Sequence, residues 1–364
     1  MIDLREYGLT PGMASHLGKG RGPGPAEPIE PARVTAALRE RYELITASGP
    51  AFGRLKGSAF YDDDPGMYPT VGDFVELQGQ HAAMDGDRVI LRTLPRFSQF
   101  VRRANNTRKR SDYQKVTREQ AIAANFDTCF VVTSMNWDLS AARLERYMSQ
   151  AWQSGASPVV LLTKADLEDD YTGIVESVRD AALGVEVIAV SAVSGLGMDR
   201  TREIMPPGST AVLLGSSGVG KSSLVNALSG GDVMRVNAIR EGDDRGRHTT
   251  THRQMIRLPW GALVIDTPGM RELGLWDAEE GLDLTFPDVE AALARGCRFS
   301  DCRHEREPGC AVREAIDSGE LEAERWNRYA NLQRESRFAR DKAAYLRDKS
   351  RRWKEIAKSL KDRY

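Results

Sequence analysis

The pattern of hydrophobic and polar positions changes character near residue 127. Between Tyr42 and Val101, short β-prone runs alternate with turn-forming stretches such as Asp62 to Gly66. Several short strands at this spacing predict a small β-barrel or sandwich. An OB-type barrel fits the length, while a small β domain that only packs against its neighbour fits the pattern almost equally well. The β-prone runs are 42–47, 51–55, 74–77 and 89–91.

From Asp127 onward, apolar runs alternate with segments of helical periodicity. This alternation predicts a mostly parallel sheet covered by helices on both faces. Because ligands bind at the carboxyl ends of the strands in such sheets, functional residues are expected just after the apolar runs. The predicted strands are 128–133, 158–162, 186–190, 210–214 and 262–265, and the predicted helices include 140–153 and 170–182.

The first 41 residues carry neither pattern. Glycine and proline crowd positions 20–25, which predicts a mobile arm with at most a short helix. A brief helix is expected from Pro31 to Arg41. Beyond Cys310 the chain is again predicted to be helical.

A phosphate-binding loop follows the fourth apolar run. Residues 215–222 read G-x-x-x-x-G-K-S and lie between the predicted strand and a helix-like segment, the context that this motif needs. Its glycines let backbone N–H groups converge on phosphate oxygens, and the helix N-terminus adds partial positive charge. Lys221 would reach the β- and γ-phosphates, and the Ser222 hydroxyl would ligate Mg²⁺.

Two further loops indicate that the base is guanine. Residues 163–166 read T-K-A-D after one predicted strand and resemble the N-K-x-D motif of GTPases. The carboxylate of that motif accepts hydrogen bonds from guanine N1–H and the 2-amino group, a pair of donors that adenine lacks. Residues 191–192 read S-A after the next strand and resemble the motif whose backbone N–H contacts guanine O6.

The order of these motifs is permuted. Asp266 begins a D-x-x-G motif that would hold Mg²⁺ and, through Gly269 N–H, contact the γ-phosphate. Residues 246–251 read G-R-H-T-T-T, and one of these threonines is the switch I candidate. Usual GTPases place the base-reading motifs last, whereas here they precede the phosphate loop. Since sheet geometry depends on spatial neighbours, the sequence predicts a circularly permuted GTPase domain.

Three of the four cysteines cluster with a histidine as C-x4-C-x-H-x5-C between residues 297 and 310. Three thiolates and an imidazole suit tetrahedral Zn²⁺. No catalytic residue is obvious nearby, so a closed structural site is expected. Without an export signal, the clustering favours metal over disulfides.

Composition and charge indicate a class of binding partner and bear on export. The chain has 364 residues and a net charge of −1, but residues 334–364 hold twelve Lys/Arg and five Asp/Glu. A basic tail on an acidic body points to a polyanion, and a solvated amphipathic helix is the competing interpretation. No apolar run reaches the ~18 residues of a membrane helix, and the acidic start lacks a signal-peptide core, which argues against export.

The permuted motifs, G-R-H-T-T-T, D-T-P-G and C-x4-C-x-H-x5-C together resemble the bacterial ribosome small-subunit-dependent GTPase A family, from about residue 33 to the end. The resemblance implies an N-terminal OB-type β-barrel, a central α/β P-loop GTPase domain with circularly permuted motif order, and a C-terminal zinc-binding helical domain. We place the arm at 1–41, the barrel at 42–104, the GTPase domain at 105–275, and the zinc-binding domain with its basic helices at 276–364.

The resemblance also implies a cytoplasmic factor that binds the 30S ribosomal subunit and its 16S rRNA late in maturation. There it would hydrolyse GTP to GDP and phosphate, using Mg²⁺ with the nucleotide and one structural Zn²⁺ per chain. We expect a monomer. A GTP-dependent rRNA-binding scaffold with negligible hydrolysis is the alternative, whereas the guanine-reading motifs disfavour a P-loop kinase or ATPase.

The functional residues implied by the resemblance fall into five groups. The base contacts are Thr163, Lys164, Ala165, Asp166, Ser191 and Ala192. The phosphate contacts are Gly215, Ser216, Ser217, Gly218, Val219, Gly220, Lys221, Ser222, Ser223, Asp266 and Gly269. Magnesium falls to Ser222 and Asp266, and zinc to Cys297, Cys302, His304 and Cys310. The catalytic candidates are His248 and Thr250.

Two departures from the usual motifs bear on the chemistry. Thr163 stands where the base motif usually has Asn, so guanine affinity is expected to fall while Asp166 preserves selectivity. Met270 follows D-T-P-G, where Ras-like GTPases place a water-orienting Gln, and a thioether cannot orient water. His248 is therefore the candidate for that role, the alternative being a switch-loop histidine that contacts RNA or solvent.

Overall fold

A computed structural model describes residues 1–19, 28–38, 41–55, 68–82, 86–104, 118–135, 139–234, 253–266 and 279–337. Within these ranges, no helix combines the length and the hydropathy that a bilayer span requires.

Five short strands form the N-terminal barrel. They are β1 (Ile29–Ala37), β2 (Tyr42–Thr46), β3 (Gly49–Leu55), β4 (Phe74–Ala82) and β5 (Arg88–Thr93). Neighbouring strands run in the order β1-β2-β3-β5-β4, and β4 pairs back onto β1, which closes the barrel. Its interior is apolar and is filled by Ala32, Val34, Leu44, Val75, Leu77 and Ile90. The OB-type barrel predicted from the spacing of β-prone runs is therefore confirmed.

The brief helix predicted from Pro31 to Arg41 is wrong, because this segment contributes strand β1. Its alternate residues Ala32, Val34 and Ala36 are buried, and it pairs with both β2 and β4. Pairing along both edges overrides the helix propensity of an alanine-containing segment. The division of the chain into four domains stays a prediction, and β1 adds residues from Ile29 onward to the barrel sheet.

The described part of the predicted arm is folded. Leu4–Tyr7 forms a 3₁₀ turn, and Pro11–Ala14 forms a short helix, α1. Met13 is buried against Phe74 and Leu94 of the barrel region. The expectation of a mobile arm is therefore wrong for residues 1–19, since apolar side chains here find a core that the local sequence does not reveal.

A two-stranded ribbon, β6 (Gln99–Ala104) with β7 (Arg118–Ala124), leads into the central sheet. The sheet runs β10-β9-β8-β11-β13-β12. Its strands are β8 (Thr128–Ser134), β9 (Ser157–Thr163), β10 (Glu186–Ala189), β11 (Thr210–Leu214), β12 (Gln254–Arg257) and β13 (Leu263–Asp266). All pairs are parallel except β12 with β13.

Helices cover both faces of this sheet, as the alternating pattern predicted. They are α2 (Ala141–Gln153), α3 (Thr172–Ala181), α4 (Met198–Ile204) and α5 (Lys221–Ser229). Two separate apolar clusters lie on the two faces. The strand β11, which precedes the phosphate loop, lies between β8 and β13. The permuted order of the motifs along the chain therefore does not disturb the sheet.

The barrel and the central sheet are continuous, because Ala36 of β1 pairs with Gln254 of β12. A buried arginine reinforces this junction. Arg33 donates to the carbonyl oxygen of Tyr7 and, at 2.6 Å, to that of Asn125, and it stacks on Phe74. Burial lowers the pKa of this guanidinium to about 10, which leaves it charged at neutral pH.

The C-terminal region is helical around its own apolar core. It contains α6 (Glu279–Thr285), α7 (Pro287–Ala294), α8 (Ala311–Asp317) and a helix over residues 323–337, here α9. Helix α6 lies directly against α2. A Cβ atom added at Gly281 would come within 2.1 Å of the Ser149 carbonyl oxygen, so only glycine permits this approach.

Buried charges join the C-terminal region to helix α2 of the central sheet. The Glu145 carboxylate of α2 is fully buried and accepts hydrogen bonds from Arg325 at 3.1 Å and Arg328 at 2.8 Å, both on α9. Arg325 also donates to Asp288 and to the carbonyl oxygen of Thr285. One guanidinium therefore ties α9 to α2, α6 and α7.

Candidate nucleotide and metal sites

The predicted phosphate loop connects β11 to α5 at the carboxyl edge of the sheet. Gly220 caps the helix at φ 99° and Gly218 lies at φ 81°, a region that favours glycine. The Lys221 ammonium donates to the Gly215 carbonyl oxygen at 2.7 Å and to that of Ser216. These bonds hold the loop curved around the ammonium, and α5 begins where the loop ends.

The two predicted base-reading loops meet at the ends of β9 and β10. The Ser191 hydroxyl donates to Asp166 Oδ1 at 2.6 Å. Its oxygen accepts from the backbone N–H groups of Val193 at 3.2 Å and Ser194 at 3.0 Å. Asp166 is exposed, so Ser191 orients one carboxylate oxygen and leaves the carboxylate open to a ligand.

Thr163 contacts the phosphate loop. Its hydroxyl lies within hydrogen-bonding distance of the Val219 carbonyl oxygen and 3.3 Å from that of Thr133. A hydroxyl has a single proton, so it donates to one of these carbonyls at a time. The residue is 5% exposed, and its side chain faces the protein interior. Its observed contact is therefore with the phosphate loop, across 56 residues of sequence.

Asp266 ends β13, next to β11 and the phosphate loop. Burial raises the pKa of this carboxyl, and the Lys221 ammonium opposes that shift. Ser222 lies in the first turn of the adjacent helix α5. A hydroxyl and a carboxylate are oxygen ligands of the kind that Mg²⁺ prefers, so this corner can hold the cation beside the phosphates.

The remaining switch candidates, His248, Thr250, Gly269 and Met270, lie outside the described residues. The structure does describe where the chain leaves α5 toward them. The Asn226 amide donates to the Met234 carbonyl oxygen and accepts from its N–H, each at 2.7 Å. Sequence reasoning missed Asn226, because an asparagine within a helix carries no signal of a contact eight residues away.

Helix α2 approaches the phosphate loop from the side. Arg143 Nη1 and Tyr147 Oη each lie 3.4 Å from Ser216 Oγ. The two residues are four positions apart and share one face of the helix. The sequence did not reveal this contact, because it depends on how α2 crosses the sheet.

The four predicted zinc ligands converge. The ligand atoms of Cys297, Cys302, His304 and Cys310 all lie within 4.8 Å of one another. His304 Nδ1 is 3.5, 3.7 and 3.4 Å from the three sulfurs in chain order, and Cys297 Sγ is 4.0 Å from Cys310 Sγ.

These distances fit the edges of a zinc tetrahedron. Zn–S bonds of about 2.3 Å and Zn–N bonds of about 2.0–2.1 Å require S···N edges of about 3.6 Å and S···S edges of about 3.8 Å. The Trp326 ring of α9 meets the His304 ring edge-on at 5.3 Å. The donor set is closed by protein, and it therefore fits a structural Zn²⁺ held through His304 Nδ1.

Comparison with known proteins agrees with this geometry. The family model of the RsgA GTPase matches residues 93–276. The chain is 44% identical over 331 residues to the small ribosomal subunit biogenesis GTPase RsgA 1 of Listeria innocua, with 90% of each chain covered. The chain belongs to the RsgA GTPase family.

A further RsgA relative and two solved structures also match the chain. The RsgA protein of Streptomyces avermitilis is 43% identical over 338 residues, covering 91% of this chain and 87% of its own. Among solved structures, YloQ, a circularly permuted GTPase, matches with a TM-score of 0.57 and 25% identity, covering 85% of this chain and 95% of its own. YjeQ from Thermotoga maritima has the same fold, with a TM-score of 0.61 and 24% identity over 84% of this chain and 97% of its own.

Proposed function

We propose that this RsgA-family GTPase binds the small ribosomal subunit in the cytoplasm, as a monomer, and assists its late maturation while hydrolysing GTP to GDP and phosphate. The observation that carries the proposal is that the 215–222 loop and the Asp166–Ser191 pair lie at the same carboxyl edge of the central sheet, linked by the contact of Thr163 with Val219. The relatives that match most of the chain are named small ribosomal subunit biogenesis GTPases.

Guanine is selected by Asp166. Its carboxylate accepts from N1–H and the 2-amino group of the base, and the Ser191 hydroxyl holds one of its oxygens in place. Lys164 and Ala165 line the same loop, and the backbone of Ser191 and Ala192 faces guanine O6. Thr163 begins this loop and links it to the phosphate loop through its contact with Val219.

The phosphates bind to the backbone N–H groups of residues 215–223, with Lys221 on the β- and γ-phosphates. Mg²⁺ is held by Ser222 and, through water, by Asp266. In the GTP state Gly269 and one threonine of the G-R-H-T-T-T segment, with Thr250 the candidate, close on the γ-phosphate. His248 positions the attacking water, because Met270 offers no amide for that role.

The zinc region and the basic residues that follow it contact 16S rRNA. Zn²⁺ would supply folding energy there, because its binding to four ligands of a short segment stabilises the folded form of that segment. The GTP state binds the subunit more tightly than the GDP state, and the subunit therefore raises GTP affinity by the same factor, because binding linkage is reciprocal.

Phosphate release measured with and without 30S subunits tests the proposal. We expect stimulation by the subunit, with His248→Ala losing most of the stimulated rate while retaining GTP and subunit binding. Met270→Ala is the matched control and should lose far less. A GTP-dependent scaffold would instead co-sediment with 30S subunits in the GTP state without accelerated phosphate release. Full stimulated activity in His248→Ala would assign the water-positioning role to another residue.

A further inference from the structure

The loop between the second and fourth zinc ligands folds around one of its own carboxylates. Glu307 Oε1 accepts from the backbone N–H of Arg303 at 3.0 Å. Glu307 Oε2 accepts from the N–H groups of Glu305 and Arg306, both at 2.9 Å. Both carboxylate oxygens are therefore engaged by the main chain on either side of His304.

The backbone of this loop explains why an anion belongs there. His304 has φ 63°, a left-handed conformation that residues other than glycine rarely adopt. A left-handed residue within a turn aims the neighbouring N–H groups at one point, which creates a concave anion-binding site. In this loop the anion is Glu307, supplied by the chain itself.

We propose that Glu307 is a positioning residue of the zinc site. By gathering the N–H groups of residues 303, 305 and 306, its carboxylate holds the turn that places His304 Nδ1 against the three cysteine sulfurs. Glu307 does not ligate the metal. It acts through the orientation of His304, and it thereby slows loss of the imidazole ligand and of the metal.

The electrostatics support this role. Backbone N–H groups from Arg303 and its neighbours lower the pKa of Glu307 to about 2, because they stabilise the anion. The carboxylate therefore stays ionised at every pH at which cysteine thiolates bind zinc. Replacement by glutamine removes the charge, and it leaves one side-chain oxygen where two now accept.

Zinc release from the full-length protein tests the proposal. The parent, Glu307→Gln and Glu305→Gln would be loaded with zinc and challenged with a chromophoric chelator below their unfolding temperatures. Outer-shell partners of metal ligands typically contribute about 10- to 100-fold to metal affinity. We expect zinc loss from Glu307→Gln to accelerate by that factor. Glu305→Gln removes an equal charge two residues away from an exposed side chain, and it should match the parent.

A spectroscopic measurement separates positioning from general stability. Cobalt substituted for zinc should give a visible spectrum of altered shape and intensity in Glu307→Gln but not in Glu305→Gln, because the imidazole orientation changes. Glu307→Asp retains the charge on a shorter stem, and it should release zinc faster than the parent and more slowly than Glu307→Gln. It also serves as the test variant if the glutamine variant does not fold. Release rates and cobalt spectra equal to those of the parent would overturn the proposal.

Discussion

At the scale of single residues, two contacts shape the proposed guanine site. Ser191 orients the Asp166 carboxylate, and Thr163 joins the base loop to the phosphate loop. Both side chains contact protein groups, so we assign base selection and loop alignment to different residues. Substitutions should therefore separate nucleotide selectivity from nucleotide affinity.

We assign nucleotide selectivity to Asp166. Asp166→Asn should shift the preference from GTP toward XTP, because xanthine has a carbonyl where guanine has its 2-amino group, and an amide can donate to it. Competition of GTP and XTP against a labelled nucleotide measures the shift. Asp169→Asn, in the same exposed loop, is the control and should keep the parental preference. A variant at 166 that still prefers GTP would refute the base-reading assignment.

We assign part of the nucleotide affinity to Thr163. Thr163→Val keeps the shape but removes the hydroxyl, so the Val219 carbonyl loses its partner. A buried hydrogen bond contributes about 1 kcal/mol, and we expect GTP and GDP to bind about fivefold more weakly with unchanged selectivity over XTP. Thr163→Ser retains the hydroxyl and should bind like the parent. Unchanged affinity in the valine variant would contradict the role of this contact.

At the scale of elements, helix α2 contacts both functional regions. One face places Arg143 and Tyr147 beside the phosphate loop, and another carries Glu145 and Ser149 against the zinc-binding region. Ser149 Oγ donates to Thr285 Oγ1 at 3.1 Å. At Gly281 the backbones of α2 and α6 also approach each other closely.

The crossing can be tested with two glycines in helices. In Gly281→Ala the new Cβ would lie 2.1 Å from the Ser149 carbonyl oxygen, so the helices must separate, and we expect a loss of roughly 1–3 kcal/mol from overpacking. Gly173→Ala on α3 meets no atom within 4 Å and should stabilise by roughly 0.4–1 kcal/mol. Denaturant unfolding measures both. Equal stability of the two variants would show that α6 is free to move away from α2.

At the scale of the whole molecule, buried charge holds the zinc-binding region on the GTPase domain. The Glu145 side chain is 0% exposed and that of Arg325 is 6% exposed. Burial raises the pKa of the Glu145 carboxyl, while the guanidinium of Arg328, followed by that of Arg325, opposes the shift. The two regions should therefore unfold together, since separating them would leave these charges without partners.

Removing the buried carboxylate charge should destabilise the whole protein. We expect Glu145→Gln to lose about 3–5 kcal/mol, the usual effect of leaving a buried charge unpaired. Glu320→Gln removes one partner of the exposed pair with Arg295 and should change stability by less than about 1 kcal/mol. Thermal and denaturant melts of the zinc-loaded protein compare the two. A loss in Glu145→Gln no larger than in Glu320→Gln would show that the interface does not depend on this network.

The sequence by itself determined the features encoded over short distances. The 215–222 loop, the permuted order of the guanine motifs and the C-x4-C-x-H-x5-C spacing are local patterns, and long apolar runs such as 128–133 and 210–214 became strands. These features can be recognised from the sequence because they require particular residue types at fixed spacing. The local pattern therefore predicted the family, the strands of the central sheet and the four zinc ligands.

Only the tertiary structure decided the features that depend on distant partners. The segment 29–37 is a strand because β2 and β4 pair with both of its edges. Thr163 reaches Val219, and Glu145 meets Arg325 across 180 positions. Even Glu307, only three residues from His304, has its role through a left-handed turn. Such contacts follow from how backbones cross and turn in space, which residue types along the chain do not specify.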